Sequence, residues 1–213
     1  MSESGAAPWV PESAHDLADL RTAARECEGC ELHIDATQVV MGDGPTPARL
    51  MLVGEQPGDQ EDRIGEPFVG PAGRLLDKAL AAAGLRHEDV FVTNAVKHFR
   101  FATVGKRRIH KSPTRAHVVA CRPWLDAELS LVRPEGVVLL GATAGGALYG
   151  GGFRIGQLRG RLQSWPLDDR PHPWAPPWVV PTVHPSSVLR SRHRDEDLRA
   201  LVADLEVAAD QLR

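Results

Sequence analysis

Four short apolar runs constrain this 213-residue chain more than anything else in it: Leu50–Val53, Val90–Thr93, Gly136–Leu140 and Trp178–Thr182. Each reads as a buried strand, and segments with helical spacing separate them. Strands alternating with helices imply a parallel sheet covered on both faces. Apolar periodicity predicts helices over 16–26, 74–83, 114–120, 142–149 and 195–212, the last with Leu198, Leu201, Val202 and Leu205 on one face. Ser13 is available to cap the first helix and Gly84 to close the second. Ser112-Pro113 reads as the start of the third, and Pro123 is expected to end or kink it, with a further turn over 124–132. Thr37–Met41 reads as a short extra strand and the Pro- and Trp-rich tract 164–177 as an irregular surface loop. The first dozen residues read as a loose arm. No repeat or linker interrupts 1–213, so the expected fold is one α/β domain with a central four-stranded parallel sheet flanked by helices.

Composition narrows the function classes. The 42% hydrophobic and 25% charged content is ordinary for a soluble domain. The longest uncharged run, 136–153, carries seven glycines and reads as strand, turn and helix, not as a membrane span. A formal charge of −3 gives no global attraction to nucleic acid, so any DNA footprint must be local. One segment could supply it: 97–115 has seven Lys or Arg and no acid. Three cysteines argue against a disulfide framework and for a reducing compartment. Met1-Ser-Glu-Ser-Gly has neither the basic start nor the apolar core of a secretory leader, so the expected location is the cytoplasm.

The first strand delivers an unusual loop, Gly54 to Gly73, to the carboxyl edge of the sheet, where open α/β folds bind ligands. It carries Glu55, Asp59, Glu61, Asp62 and Glu66, then Pro67-Phe68-Val69, then a Gly-Pro-Ala-Gly turn into a helix. Asn94 and His184 stand at two other strand ends. By themselves these residues have plain readings: Phe68 as a core aromatic, Asn94 as a strand cap, His184 as a structural histidine, Lys106–Pro113 as a phosphate-binding loop. Cys27-x-x-Cys30 is a two-ligand clip, Cys121 is the remaining thiol, and a metal site needs a fourth donor. Spacing alone favours zinc there.

The whole string Glu55-x-Pro-Gly, Glu61-Asp62, Gly65-x-Pro67-Phe68-Val69-Gly70 with Gly73 closing resembles the first motif of the family 4, iron–sulfur uracil-DNA glycosylases. Gln56 and the Asp59-Gln60 pair are more similar to the UdgX branch of that superfamily. Thr93-Asn94-Ala95-Val96-Lys97 matches the segment that precedes a cluster cysteine in family 4, but His98 stands where that cysteine would be. The resemblance thus implies a [4Fe–4S] cluster on Cys27, Cys30, His98 and Cys121, with zinc as the alternative; the cluster would be structural. His184-Pro185-Ser186 resembles the second motif, and Lys106-Arg107-Arg108-Ile109-His110-x-x-Pro113 resembles the insertion that marks the UdgX branch.

What the resemblance implies is specific. Uracil would sit among Gln56, Asp59, Phe68 and Asn94, with Phe68 as the stacking plate and Asn94 reading the base edge. His184 would donate to uracil O2 as charge develops there, and Glu55 would stabilise the sugar cation or position the nucleophile. Lys106, Arg107, Arg108, Lys111, Ser186 and Arg190 would contact DNA, with Arg192 and Arg194 extending the phosphate stretch and Val188 or Leu189 filling the vacated stack. In the UdgX branch the histidine matching His110 attacks the sugar and stays bonded to it. Neighbouring cations are expected to keep His110 neutral and nucleophilic. The expected function is excision of uracil from DNA, single strands accepted, by a monomer that becomes cross-linked through His110. The alternatives are a family 4 enzyme that turns over with water, and a non-catalytic metal-stabilised module that only binds DNA.

Overall fold

The computed structural model describes residues 5–166 and 174–213; part of the Pro- and Trp-rich tract, 167–173, lies outside the described residues. In chain order the elements are α1 (Leu17–Ala24), α2 (Leu32–Asp35), β1 (Leu50–Gly54), α3 (Asp59–Ile64), α4 (Pro71–Ala82), β2 (Val90–Asn94), β3 (Phe101–Val104), β4 (Arg107–His110), α5 (Arg115–Val132), β5 (Gly136–Leu140), α6 (Ala142–Tyr149), α7 (Ile155–Leu158), β6 (Trp178–Thr182), α8 (Pro185–Arg190) and α9 (Arg194–Gln211).

The four apolar runs form one parallel sheet in the order β2-β1-β5-β6. Side chains alternate across it, as a two-residue period requires. Leu50 and Leu52 face a core built with Leu75, Leu76, Leu201 and Leu205 of α4 and α9. Met51 and Val53 face the opposite core, with Leu125 and Leu129 of α5. The chain leaves β1 toward β2 on one side and returns to β5 and β6 on the other. The crevice between the carboxyl ends of β1 and β5 is therefore the switch point, where such sheets accept ligands. Among the described residues, no helix is long and apolar enough to cross a membrane.

Several local expectations fail for identifiable reasons. Segment 37–41 is no strand: Gly42 lies flat on the Phe91 ring and Gly44, at φ +133°, turns the chain, leaving a single bridge from Asp43 to Val92. Pro123 neither ends nor visibly divides α5. The hydrogen bond it lacks would have gone to the carbonyl of Val119, a residue on the exposed side, while Cys121, Trp124, Leu125 and Leu129 bury the other face. That helix is capped by Thr114 with His117, not by Ser112, and α1 is capped by Asp16, not Ser13. The start of the chain is no loose arm from residue 5 onward: Ala6 is buried and its N–H donates to the Ala120 carbonyl at 2.7 Å. Gly84 does close α4, at φ +76°.

The β3–β4 hairpin was not expected. It pairs Phe101 with His110 and Val104 with Arg107 around a turn at Gly105. A lone two-stranded ribbon is marginal in water. This one is fastened by Arg108, which stacks over the rings of Phe99 and Phe101 and pairs with Asp59 and Asp62 of α3.

Candidate active site at the strand ends

Gly54 and Asn94 are register partners at the ends of β1 and β2. A Cβ on Gly54 would come within 2.4 Å of Asn94 Oδ1 and 2.7 Å of Phe68 Cζ, so the missing side chain is what lets amide and ring converge. The Asn94 amide has no hydrogen-bond partner among the described residues, although the residue is buried. Phe68 holds φ +58°, a left-handed conformation that an aromatic residue adopts at a cost on the order of 1–3 kcal/mol. Gly73 makes room for it, since a Cβ there would strike the Phe68 carbonyl. Strain held by surrounding structure beside an unpartnered amide is the signature of a built site. The Phe68 ring also lies 6.3 Å from the His184 ring, 25° from parallel.

His184 caps α8: its Nδ1 accepts the Ser186 N–H at 3.1 Å, with Ser186 Oγ at 2.9 Å. A nitrogen that accepts carries no proton, so the neutral ring has its N–H on Nε2, directed away from the cap. Burial, with smaller contributions from Arg190 and His110, brings this imidazole down to about 4. It is a neutral donor at any ordinary pH.

Glu55 and His110 meet across the crevice. Glu55 Oε2 accepts from Thr143 Oγ1, on the first turn of α6, at 2.5 Å. Its other oxygen, Oε1, is buried, has no hydrogen-bond partner, and lies 3.4 Å from His110 Nε2. The His110 pKa is lowered, first by burial and also by Arg190, against the opposing charge of Glu55. The expected cause is thereby corrected: burial comes first, and the contributing cation is Arg190 rather than those of the hairpin. Arg190 itself has no ion-pair partner among the described residues.

Three expected contact residues have other work. Gln56 is buried and its amide is saturated, donating to the carbonyls of Arg100 and Lys111 and accepting the Arg100 N–H, so it fastens the base of the hairpin. Asp59 is engaged by Arg63 and Arg108. Arg108 is only 15% exposed on its side chain and pairs with Asp59 and Asp62, so it anchors the hairpin and is not free for phosphate. Lys106, Arg107 and Lys111 are exposed, and Ser186 is partly so. Val188 is buried, which removes it as a wedge, and Leu189 is partly buried and packs on the core.

Two features escaped the sequence reading. Thr143 is one, a small polar residue in an apolar helix. The other is a fully buried pair: Lys97 Nζ donates to Glu128 Oε2 (2.7 Å), to Thr93 Oγ1 (2.6 Å) and to the Asn94 carbonyl (2.7 Å). Lys97 therefore holds the strand end that carries Asn94 and takes no part in the basic surface.

Cys27, Cys30 and Cys121 are unpaired and buried in one cluster with Trp124 and Leu20. N–H donors point at two of the sulfurs: Trp124 Nε1 at Cys27 and the Lys97 backbone at Cys121, each at 3.2 Å. Burial pushes the Cys121 thiol up to about 12 and raises Cys30 as well. His98 is buried and held down to about 4 by burial, with His33, whose Nδ1 lies 2.7 Å from the Cys30 carbonyl, as a smaller influence. In composition this donor set, three thiols and a neutral imidazole, suits a thiophilic metal group. Among the described residues, however, no set of three or more His, Cys, Asp or Glu is arranged to hold a metal ion.

Comparison with known proteins agrees with this architecture. The profile of the uracil DNA glycosylase superfamily matches residues 41–206. The chain is 36% identical over 185 residues to a type-4 uracil-DNA glycosylase of Thermotoga maritima, covering 86% of this chain and 88% of the relative. It is 32% identical over 178 residues to the type-4 enzyme of Sulfurisphaera tokodaii, covering 81% and 76%. A type-5 uracil-DNA glycosylase of Pyrobaculum aerophilum is 35% identical over 116 residues, 47% of this chain and 48% of that one. With a crevice of strand-end residues at the switch point and a match over most of its length, the chain belongs to the uracil-DNA glycosylase superfamily.

Proposed function

We propose that the protein excises uracil from DNA and keeps the resulting sugar bonded to His110, as in the UdgX branch. The similarity to type-4 uracil-DNA glycosylases supports the excision. One observation carries the capture: Glu55 Oε1, buried and without a hydrogen bond, lies 3.4 Å from His110 Nε2.

The chemistry follows from the residues. An extruded uracil stacks on Phe68, with its edge toward the Asn94 amide. That amide donates to O4 and accepts from N3–H; cytosine presents the reverse pattern and leaves both unpaired. As the glycosidic bond breaks, its electron pair passes to the base, and the Nε2–H of His184 stabilises the charge on O2. C1′ becomes cationic beside the Glu55 carboxylate. An imidazole nitrogen of His110 bonds to C1′, the ring gives up its proton, and uracil leaves with one in its place. No other reactant is needed. Lys106, Arg107, Lys111, Ser186 and Arg190 grip phosphates. Cys27, Cys30, His98 and Cys121 would hold a [4Fe–4S] cluster that ties the start of the chain to the loop after Asn94; the reaction does not pass through it.

The test mixes wild-type protein with a uracil oligonucleotide and follows base release alongside a denaturing gel. Free uracil with a band that survives heat and detergent, at no more than one per protein, is expected. Release in excess of protein with no such band would make it a water-using enzyme, and no release would make it a binding module. Glu55→Gln should slow release on the order of 10²- to 10³-fold.

A further inference from the structure

We infer that Thr143 is a positioning residue for Glu55, its hydroxyl holding one carboxylate oxygen so that the other faces His110 and the reacting sugar. The inference rests on the glycosylase reading above. Thr143 Oγ1 lies 2.5 Å from Glu55 Oε2 and is the hydrogen-bond partner of that carboxylate among the described residues, while Oε1 has none. The last torsion of a glutamate is soft and roughly two-fold. Without a partner on Oε2, no contact among the described residues selects which oxygen is presented or at what angle. The backbone of Glu55 is already fixed, since its carbonyl accepts the Val96 N–H at 3.1 Å, so the side-chain hold is a separate constraint.

The first turn of α6 is suited to impose it. The Gly141 N–H donates to the Thr182 carbonyl at 2.8 Å, tying the helix start to the end of β6. Gly141 takes φ +93°, and a Cβ there would approach His184 Cβ to 3.0 Å. Thr143 therefore sits in the same rigid frame as His184, and through Glu55 it sets that frame against the hairpin histidine across the switch-point crevice. Distances of this kind matter because small displacements of a reacting group cost disproportionately in rate.

Valine has the shape of threonine without the donor, and serine keeps the donor. Single-turnover uracil release and adduct formation are measured with saturating Thr143→Val and Thr143→Ser, together with affinity for an oligonucleotide carrying a non-cleavable 2′-fluorinated deoxyuridine and the melting temperature. Thr143→Val should slow both chemical readouts roughly 10- to 100-fold, the worth of one hydrogen bond to a charged group. Affinity and melting temperature should stay near wild type, and Thr143→Ser should recover most of the rate. Wild-type rates for Thr143→Val overturn the inference and leave the glycosylase reading intact. Equal losses in both variants with a lowered melting temperature also overturn it, by making Thr143 a packing residue. A wild-type protein that releases no uracil overturns both.

Discussion

Gly54 shows how much of the site depends on what a residue lacks. Its absent side chain admits both Asn94 Oδ1 and the Phe68 ring. Gly54→Ala should therefore displace the amide and cut uracil release by well over tenfold, measured at saturating protein; an unchanged rate would mean that Asn94 and Phe68 do not share the base. Asn94→Asp should weaken uracil release, because an ionised carboxylate cannot donate to O4, and wild-type release by Asn94→Ala would remove the residue from the pocket. Residues of this sort were legible in the sequence, since they sit in a contiguous string with a family resemblance. Thr143 and Lys97 were not: their roles come from partners 88 and 31 positions away in the chain, which no local pattern encodes. Gln56 and Asp59 were read as uracil-binding residues, and their contacts to the hairpin were not legible because the hairpin itself was unseen.

The hairpin is the element on which the proposed capture turns. Its sequence reads as a basic loop because cations dominate it, and its docking rests on Arg108 reaching α3 together with Gln56 at its base. Asp62 has no exposed side-chain surface, so removing its cation leaves a buried carboxylate that, among the described residues, only the Thr37 N–H supports. Arg108→Ala should undock β3–β4 and slow adduct formation on the order of tenfold or more. Uracil release should be largely kept, since Glu55, Asn94 and His184 stand at the ends of sheet strands, outside the hairpin. Arg108→Lys should restore little, because a point charge cannot span two carboxylates as a planar fork does. A gel showing wild-type adduct rates for Arg108→Ala would separate hairpin docking from capture. The parallel sheet, by contrast, was legible almost to the residue. Four uninterrupted apolar runs separated by helices admit little else.

For the molecule as a whole, the Lys97–Glu128 pair joins β2 to α5 through the interior, both side chains having no exposed surface. Lys97→Met leaves the Glu128 carboxylate unpaired and should cost about 3–5 kcal/mol in denaturant unfolding. A loss near zero would show the pair to be dispensable. The half-buried, neutral His184 makes stability depend on pH. Its folded value, about 4, lies below the usual 6.5, so the unfolded chain binds the extra proton between those values. Its contribution is fully present above pH 6.5 and is lost as pH falls toward 4, and His184→Asn should flatten that slope. Iron with broad visible absorption is expected of anaerobically purified protein, and stoichiometric zinc alone would reject the cluster. Peptide mapping of the cross-linked product by mass spectrometry decides whether His110 captures the sugar. A sugar adduct on His110 is expected in wild type, and in His110→Gly no adduct but repeated uracil release, as water reaches the same cation. An adduct on another residue, or a full-strength adduct in His110→Gly, would contradict capture by His110.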